Sequence, residues 1–102
     1  MKIKRGDTKP NLVIDIDNDQ GNPVDLTAAT AVHVVCRGAA EFTNTAPSVD
    51  RPNGQVTHLW QTSQTDTAGR ILAEVVVTWP DGATQTFPAN SFVAVDVVES
   101  LR

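Results

Sequence analysis

Cysteine occurs once, at Cys36, so the chain can form neither an internal disulfide nor a thiolate metal cluster, and the framework of a stapled secreted domain is excluded. Long apolar runs are missing too. None approaches the about 18–20 residues of a membrane-spanning helix, and Lys2, Lys4 and Arg5 lead into Gly6-Asp7-Thr8 rather than into the apolar stretch of a secretory signal. These absences predict synthesis inside a cell and no membrane partner. Positive charge is scarce after the start: every lysine and Arg5 fall in the first nine residues, which carry +3 with Asp7, while the remainder carries −7. Four scattered arginines make no basic face able to neutralise several phosphates, so nucleic acid is not an expected partner. What is present suits a single domain over 1–102. At 102 residues and 40% hydrophobic side chains, such a domain buries roughly 60–70% of its unfolded surface without staples. No linker, repeat or low-complexity segment interrupts it.

The common helix formers are also few. Valine occurs fourteen times and threonine twelve, against three glutamates, three lysines and five leucines, a balance that favours strands throughout. Alternation supports this reading. Over 11–17, Leu12, Ile14 and Ile16 share one face while Val13, Asp15 and Asp17 share the other, and Asn18 to Pro23 then reverses the chain before a short segment, 24–26. A second core strand is predicted over 30–37, with Val32, Val34 and Cys36 opposite His33, Val35 and Arg37. Prolines 47 and 52 make 39–52 an irregular connection or a broken edge strand around Phe42. Asn53-Gly54 turns into a strand over 55–60, where Val56, His58 and Trp60 are in phase. The longest run, 70–79, places Ile71, Ala73, Val75, Val77 and Trp79 on one face. Pro80-Asp81-Gly82 then makes a hairpin into 83–87, and 91–98 follows with Val93, Val95 and Val97 inward and Phe92, Ala94, Asp96 and Val98 outward.

About seven short strands separated by turn signals predict an all-β fold, a single antiparallel β-sandwich with an immunoglobulin-like architecture as the leading choice. Its expected core contains Leu12, Ile14, Val34, Ile71, Val75, Val77, Val95 and Val97.

Chemistry-bearing patterns are sparse. Asp15-x-Asp17-x-Asp19 opens like a calcium loop, but loop positions 6 and 12 hold Gln20 and Leu26 where glycine and a bidentate glutamate are required, so these carboxylates read as the solvent face of a strand and its turn. His33 and Cys36 are oddly spaced along a strand and therefore on opposite faces, which prevents a joint metal or nucleophilic site. Cys36 is expected in the core and both histidines on strand surfaces. The chain lacks G-x-S-x-G and any glycine-rich phosphate loop, so no enzyme is expected, and neither metal nor cofactor is expected to be required. Trp60 is expected in the core, and Trp79 is balanced between packing and partner contact. The short basic start, Lys2, Lys4, Arg5 and Lys9, reads either as a surface for an acidic protein partner or as a solvated strand with edge lysines.

Three segments carry a resemblance: Arg5-Gly6-Asp7-Thr8-x-Pro10, Gly21-Asn22-Pro23-Val24-Asp25-Leu26-Thr27-x-Ala29-Thr30, and Asp66-Thr67-Ala68-Gly69. The last is followed by Ala73-Glu74-Val75 and by Asp81-Gly82 ahead of Thr86-Phe87-Pro88. In this order the series is similar to the N-terminal domain of phage baseplate upper proteins and to related small β-sandwich proteins of tailed phages. The resemblance spans nearly the whole chain. It implies an immunoglobulin-like sandwich located in a virion, joining other phage structural proteins in several copies or as a homo-oligomer. Baseplate upper proteins continue past this domain, whereas this sequence stops at Arg102, so tail, baseplate and head decoration are all compatible positions. The partner-binding candidates are Lys2, Lys4, Arg5, Lys9 and Trp79. The competing class is a carbohydrate-binding, adhesin-like module that stacks sugar on Trp79 or Trp60.

Overall fold

The computed structural model describes residues 1–45 and 47–101. Its strands are β1 (Lys2–Lys4), β2 (Leu12–Asp15), β3 (Ala31–Gly38), β4 (Phe42–Asn44), β5 (Ser48–Asp50), β6 (Gln55–His58), β7 (Gly69–Thr78), β8 (Thr84–Phe87) and β9 (Val93–Val98). The only helical element among the described residues is a 3₁₀ turn, Thr62–Gln64. A six-stranded sheet runs β1-β9-β7-β3-β4, with β8 alongside the far half of β7, and a three-stranded sheet runs β2-β6-β5. The chain is thus all-β and sandwich-like, its two sheets sharing one cluster of buried side chains.

Alternation explains which faces meet. Ile71, Ala73, Val75 and Val77 of β7 are fully buried, as are Val34 and Cys36 of β3 and Val95 of β9. Leu12, Ile14 and Val56 enter the same cluster from the small sheet. All eight expected core residues are buried. Burying an aliphatic side chain of this size contributes about 1.5–3 kcal/mol, so these strands hold the two layers together. The loop from Leu26 to Ala29 is tied down by Arg51, whose Nη1 donates to the carbonyls of Leu26 (3.0 Å) and Ala29 (2.7 Å). At the Asn53-Gly54 turn, Gly54 has φ +63° and the Val24 carbonyl occupies the space a Cβ would need, which accounts for glycine there.

Several expectations are corrected. The sandwich is not wholly antiparallel: β1 pairs parallel to β9, Lys2 opposite Asp96 and Lys4 opposite Val98. Among the described residues nine strands form rather than about seven, because the basic start is a strand and 39–52 holds two short ones, β4 and β5, instead of an irregular connection or one broken edge. The 24–26 segment forms no strand, and its neighbourhood contributes only an isolated bridge, Asp17 to Pro23. The strand expected over 55–60 stops at His58. Finally, His58 is not a surface residue; it is 2% exposed.

Candidate interaction surface

The basic start lies on the β1 edge of the large sheet, with Ile3 buried beneath and Lys2 and Lys4 exposed. Its charges do not form one open patch. Arg5 Nε donates to the Asp66 carbonyl at 2.7 Å, and Nη1 lies 3.5 Å from the Glu99 carboxylate. Lys4 Nζ reaches the Glu99 carbonyl at 3.3 Å, and Lys9 Nζ reaches Asn11 Oδ1 at 3.2 Å. Lys2 faces Asp96, whose carboxyl is held below the usual carboxylate value, chiefly by the Arg70 hydrogen bond and in small part by the charges of the N-terminus and Lys2. Trp79 is half-buried against the core, with its indole N–H donating to Gln85 Oε1 at 3.2 Å. Trp60 is buried at 4% exposure, so it offers no stacking platform for sugar.

The outer face of the large sheet is more apolar than a solvent face requires. Val35, Leu72, Val76, Ala94 and Val98 are half-buried there, and Phe92, in phase with Ala94, is 55% exposed. Glu74 stands among them, opposite Val35, and Arg37 lies diagonally across, opposite Leu72. Such faces on a sandwich mark contact surfaces when apolar positions are contiguous. Outward alternation in β7 and β9 carried this signal in the sequence.

The principal buried polar group is His58. Gln64 Oε1 accepts the Gln61 backbone N–H at 3.0 Å, which identifies that atom as the oxygen, so at 2.8 Å the His58 Nε2 must be the donor. Nδ1 is left as an acceptor for Asn44 Nδ2 at 2.7 Å. Phe42 stacks on the ring at 5.1 Å and Trp60 meets it edge-on at 4.9 Å. Burial lowers the His58 pKa against a smaller opposing effect of the Gln64 bond, so the ring stays neutral and ties β6 to β4 and to the 3₁₀ turn. An uncharged cleft of about 540 Å³ lies beside it, lined in part by Thr43, Ser48, Thr57, Gln61 and Leu59. The alternation with Val56 and Trp60 was the available sign that His58 faces inward.

Other candidates are placed plainly. Cys36 is buried and its thiol is pushed up to about 11 by desolvation, which makes it a poor nucleophile. His33 points to the opposite, half-buried side of β3, so the two do not meet. Asp15, Asp17 and Asp19 are exposed, Asp15 accepting from Gln55 Nε2 at 3.1 Å. No group of three or more metal-ligating side chains gathers among the described residues, and no helix there is long and apolar enough to cross a membrane.

The segments quoted above each sit at a joint of the fold, and one contact, Arg5 to Asp66, links two of them directly. Gly6 N–H donates to the Thr65 carbonyl at 2.8 Å, the Thr65 hydroxyl donates to the Asp7 carbonyl at 2.8 Å, and Arg5 adds its bond to Asp66. In the second segment, Asp25 accepts from the Thr27 hydroxyl and N–H, which lower its pKa, and Leu26 N–H donates to the Arg51 carbonyl at 2.8 Å. Asp81-Gly82 closes the β7–β8 hairpin, Gly82 N–H donating to the Trp79 carbonyl at 2.9 Å. No protein-family model, curated protein or solved structure matches the chain.

Proposed function

We propose that this chain is a non-enzymatic structural protein of a tailed-phage virion, an immunoglobulin-like module that makes assembly contacts in the tail or baseplate. The observation that carries the reading is the bond from Arg5 to the Asp66 carbonyl, which joins two of the segments behind the resemblance where the start of the chain meets the entrance of β7, with Thr65 just ahead of the second segment holding Gly6 and Asp7. The strand arrangement adds support. With β2, β3, β4, β5, β6, β7 and β9 taken as strands B, C, C′, D, E, F and G, the sheets read G-F-C-C′ and B-E-D, as in a variable-type sandwich. Contacts with neighbouring proteins then fall on the β1 edge and the outer face of the large sheet, where repeated placement on a symmetric particle lets modest interactions add.

Mass spectrometry of purified virions tests the reading directly, and absence of the protein from them would overturn it. Within particles, reversing Lys2 and Lys9 together should reduce incorporation while leaving the fold intact, because neither side chain holds another element of the domain. Arg5 is unsuitable for that test, since its bond to Asp66 belongs to the fold.

A further inference from the structure

We propose that the segment carrying β4 and β5 is a strap latched across the two sheets by His58 and released in mild acid, so that both strands leave their sheets together while the rest of the domain stays folded.

Both strands are edges, β4 the last of the six-stranded sheet and β5 the last of the three-stranded one. Each has three residues, β4 paired with β3 and β5 with β6. None of the described residues from Ala39 to Asp50 is fully buried; Ala39, Ala40, Phe42 and Val49 rest against the core without entering it. The segment is tethered at its ends, where Ala39 N–H donates to the Arg70 carbonyl at 3.0 Å and the Arg51 carbonyl accepts from Leu26 N–H at 2.8 Å. Short edge pairings with little buried apolar surface are the parts of a fold that open before the whole.

Between those tethers, Asn44 of β4 reaches across to the other sheet, its Nδ2–H donating to His58 Nδ1 at 2.7 Å while His58 Nε2–H donates to Gln64 Oε1 at 2.8 Å. Only the neutral ring fits this arrangement. Protonation places a hydrogen on Nδ1, two donors then face each other, and the bond from β4 is lost. The other side chains around the ring supply no acceptor: β2 presents Leu12, β4 presents Phe42, and Trp60 meets the ring edge-on. The face of Phe42 attracts a cation without replacing the lost bond. Cys36, across from Phe42 on β3, is titratable but neutral, its thiol being pushed up to about 11. No charged side chain among the described residues acts on the ring, whose lowered pKa reflects burial opposed by the Gln64 bond. Once the strap opens, water hydrates the imidazolium, so the released form binds the proton near the ordinary value of 6.5 while the latched form refuses it. Falling pH through that value therefore drives release.

Hydrogen exchange read by mass spectrometry at pH 7.5 and 5, compared at equal intrinsic exchange, tests the latch. Amides of β4 and β5 should lose protection in acid by up to about tenfold per pH unit, the limit for one linked proton, while β7 keeps its own. Asn44→Asp, which offers only oxygens to the protonated ring, should keep β4 protected at pH 5, and His58→Gln, which takes up no proton, should give equal protection at both pH values. Unchanged protection of the wild-type strap at pH 5, the result if Asn44 simply turns its amide oxygen to the ring, would overturn the proposal. So would a loss shared equally by β7, or one that persists in His58→Gln. Should that variant fail to fold, Asn44→Asp decides, since acid release undiminished there would equally remove His58 as the latch.

Discussion

Arg51 provides the sharpest test of how the fold is held. Its guanidinium donates to two carbonyls at the turn between the bridge at Pro23 and β3, and both Leu26 and Ala29 are buried. Arg51→Met keeps most of the stem and removes the donors. A hydrogen bond from a charged group is worth about 1.5–3 kcal/mol, but the Leu26 carbonyl retains the Ala29 N–H at 3.0 Å and Arg51 is only half-buried, so the pair should cost about 2–4 kcal/mol. For a domain of this length that is a fall of about 8–16 °C in thermal midpoint, at about 4 °C per kcal/mol. Differential scanning calorimetry measures it, with Arg70→Met as the reference, since that ion pair is solvent-exposed and should shift the midpoint far less. Equal shifts in the two variants would refute the assignment of Arg51 as the tie.

Val75→Ala, at the fully buried centre of β7, should cost about 2 kcal/mol or more in urea unfolding, and an unchanged midpoint would mean that this face is not the core. The lowered pKa of His58 makes stability depend on pH in a definite sense: between its folded value and about 6.5 the unfolded chain binds a proton that the folded chain refuses, so stability is full above that window and falls as pH drops through it. His58→Gln should flatten that slope in unfolding curves taken from pH 7.5 to 5, and an identical slope in the variant would assign it to other groups. Cys36, raised to about 11 and buried, should resist an aromatic disulfide reagent at pH 8 until denaturant is added. Rapid labelling of the folded chain would contradict its placement.

The long alternating runs were readable because period 2 is the geometry of a pleated strand. In β3, β7 and β9 each apolar phase became the buried face. Length set the limit. Lys2 to Lys4 is too short for a pattern, and its partner Asp96 to Val98 is more than ninety residues away, so no local signal could announce a parallel pair. The segment from Ala39 to Pro52 yields two strands of three residues, each below the length at which alternation is distinguishable from chance. His58 was misplaced by residue type although its phase with Val56 and Trp60 was correct; what reversed the expectation was hydrogen bonding from Asn44, fourteen positions away, which a sequence does not display. Arg51 is similar, because its partners are main-chain carbonyls that any residue could have supplied. On the surface, the lysines of β1 were legible as an edge, while the internal ties of Arg5 to Asp66 and Glu99 were not.

The parallel pairing of β1 with β9 also decides how the domain carries tension. Because the two strands point the same way, a pull entering ahead of Met1 and leaving beyond Glu99 drags them past each other along their length instead of peeling them apart from one end. The rungs that join them, among them Asp96 N–H to the Met1 carbonyl at 2.9 Å and Arg5 N–H to the Val98 carbonyl at 2.7 Å, are then strained together and must fail together. The short basic strand at the sheet edge is therefore the mechanical clasp of the domain, and stretching single molecules by their two ends should meet its resistance before any other.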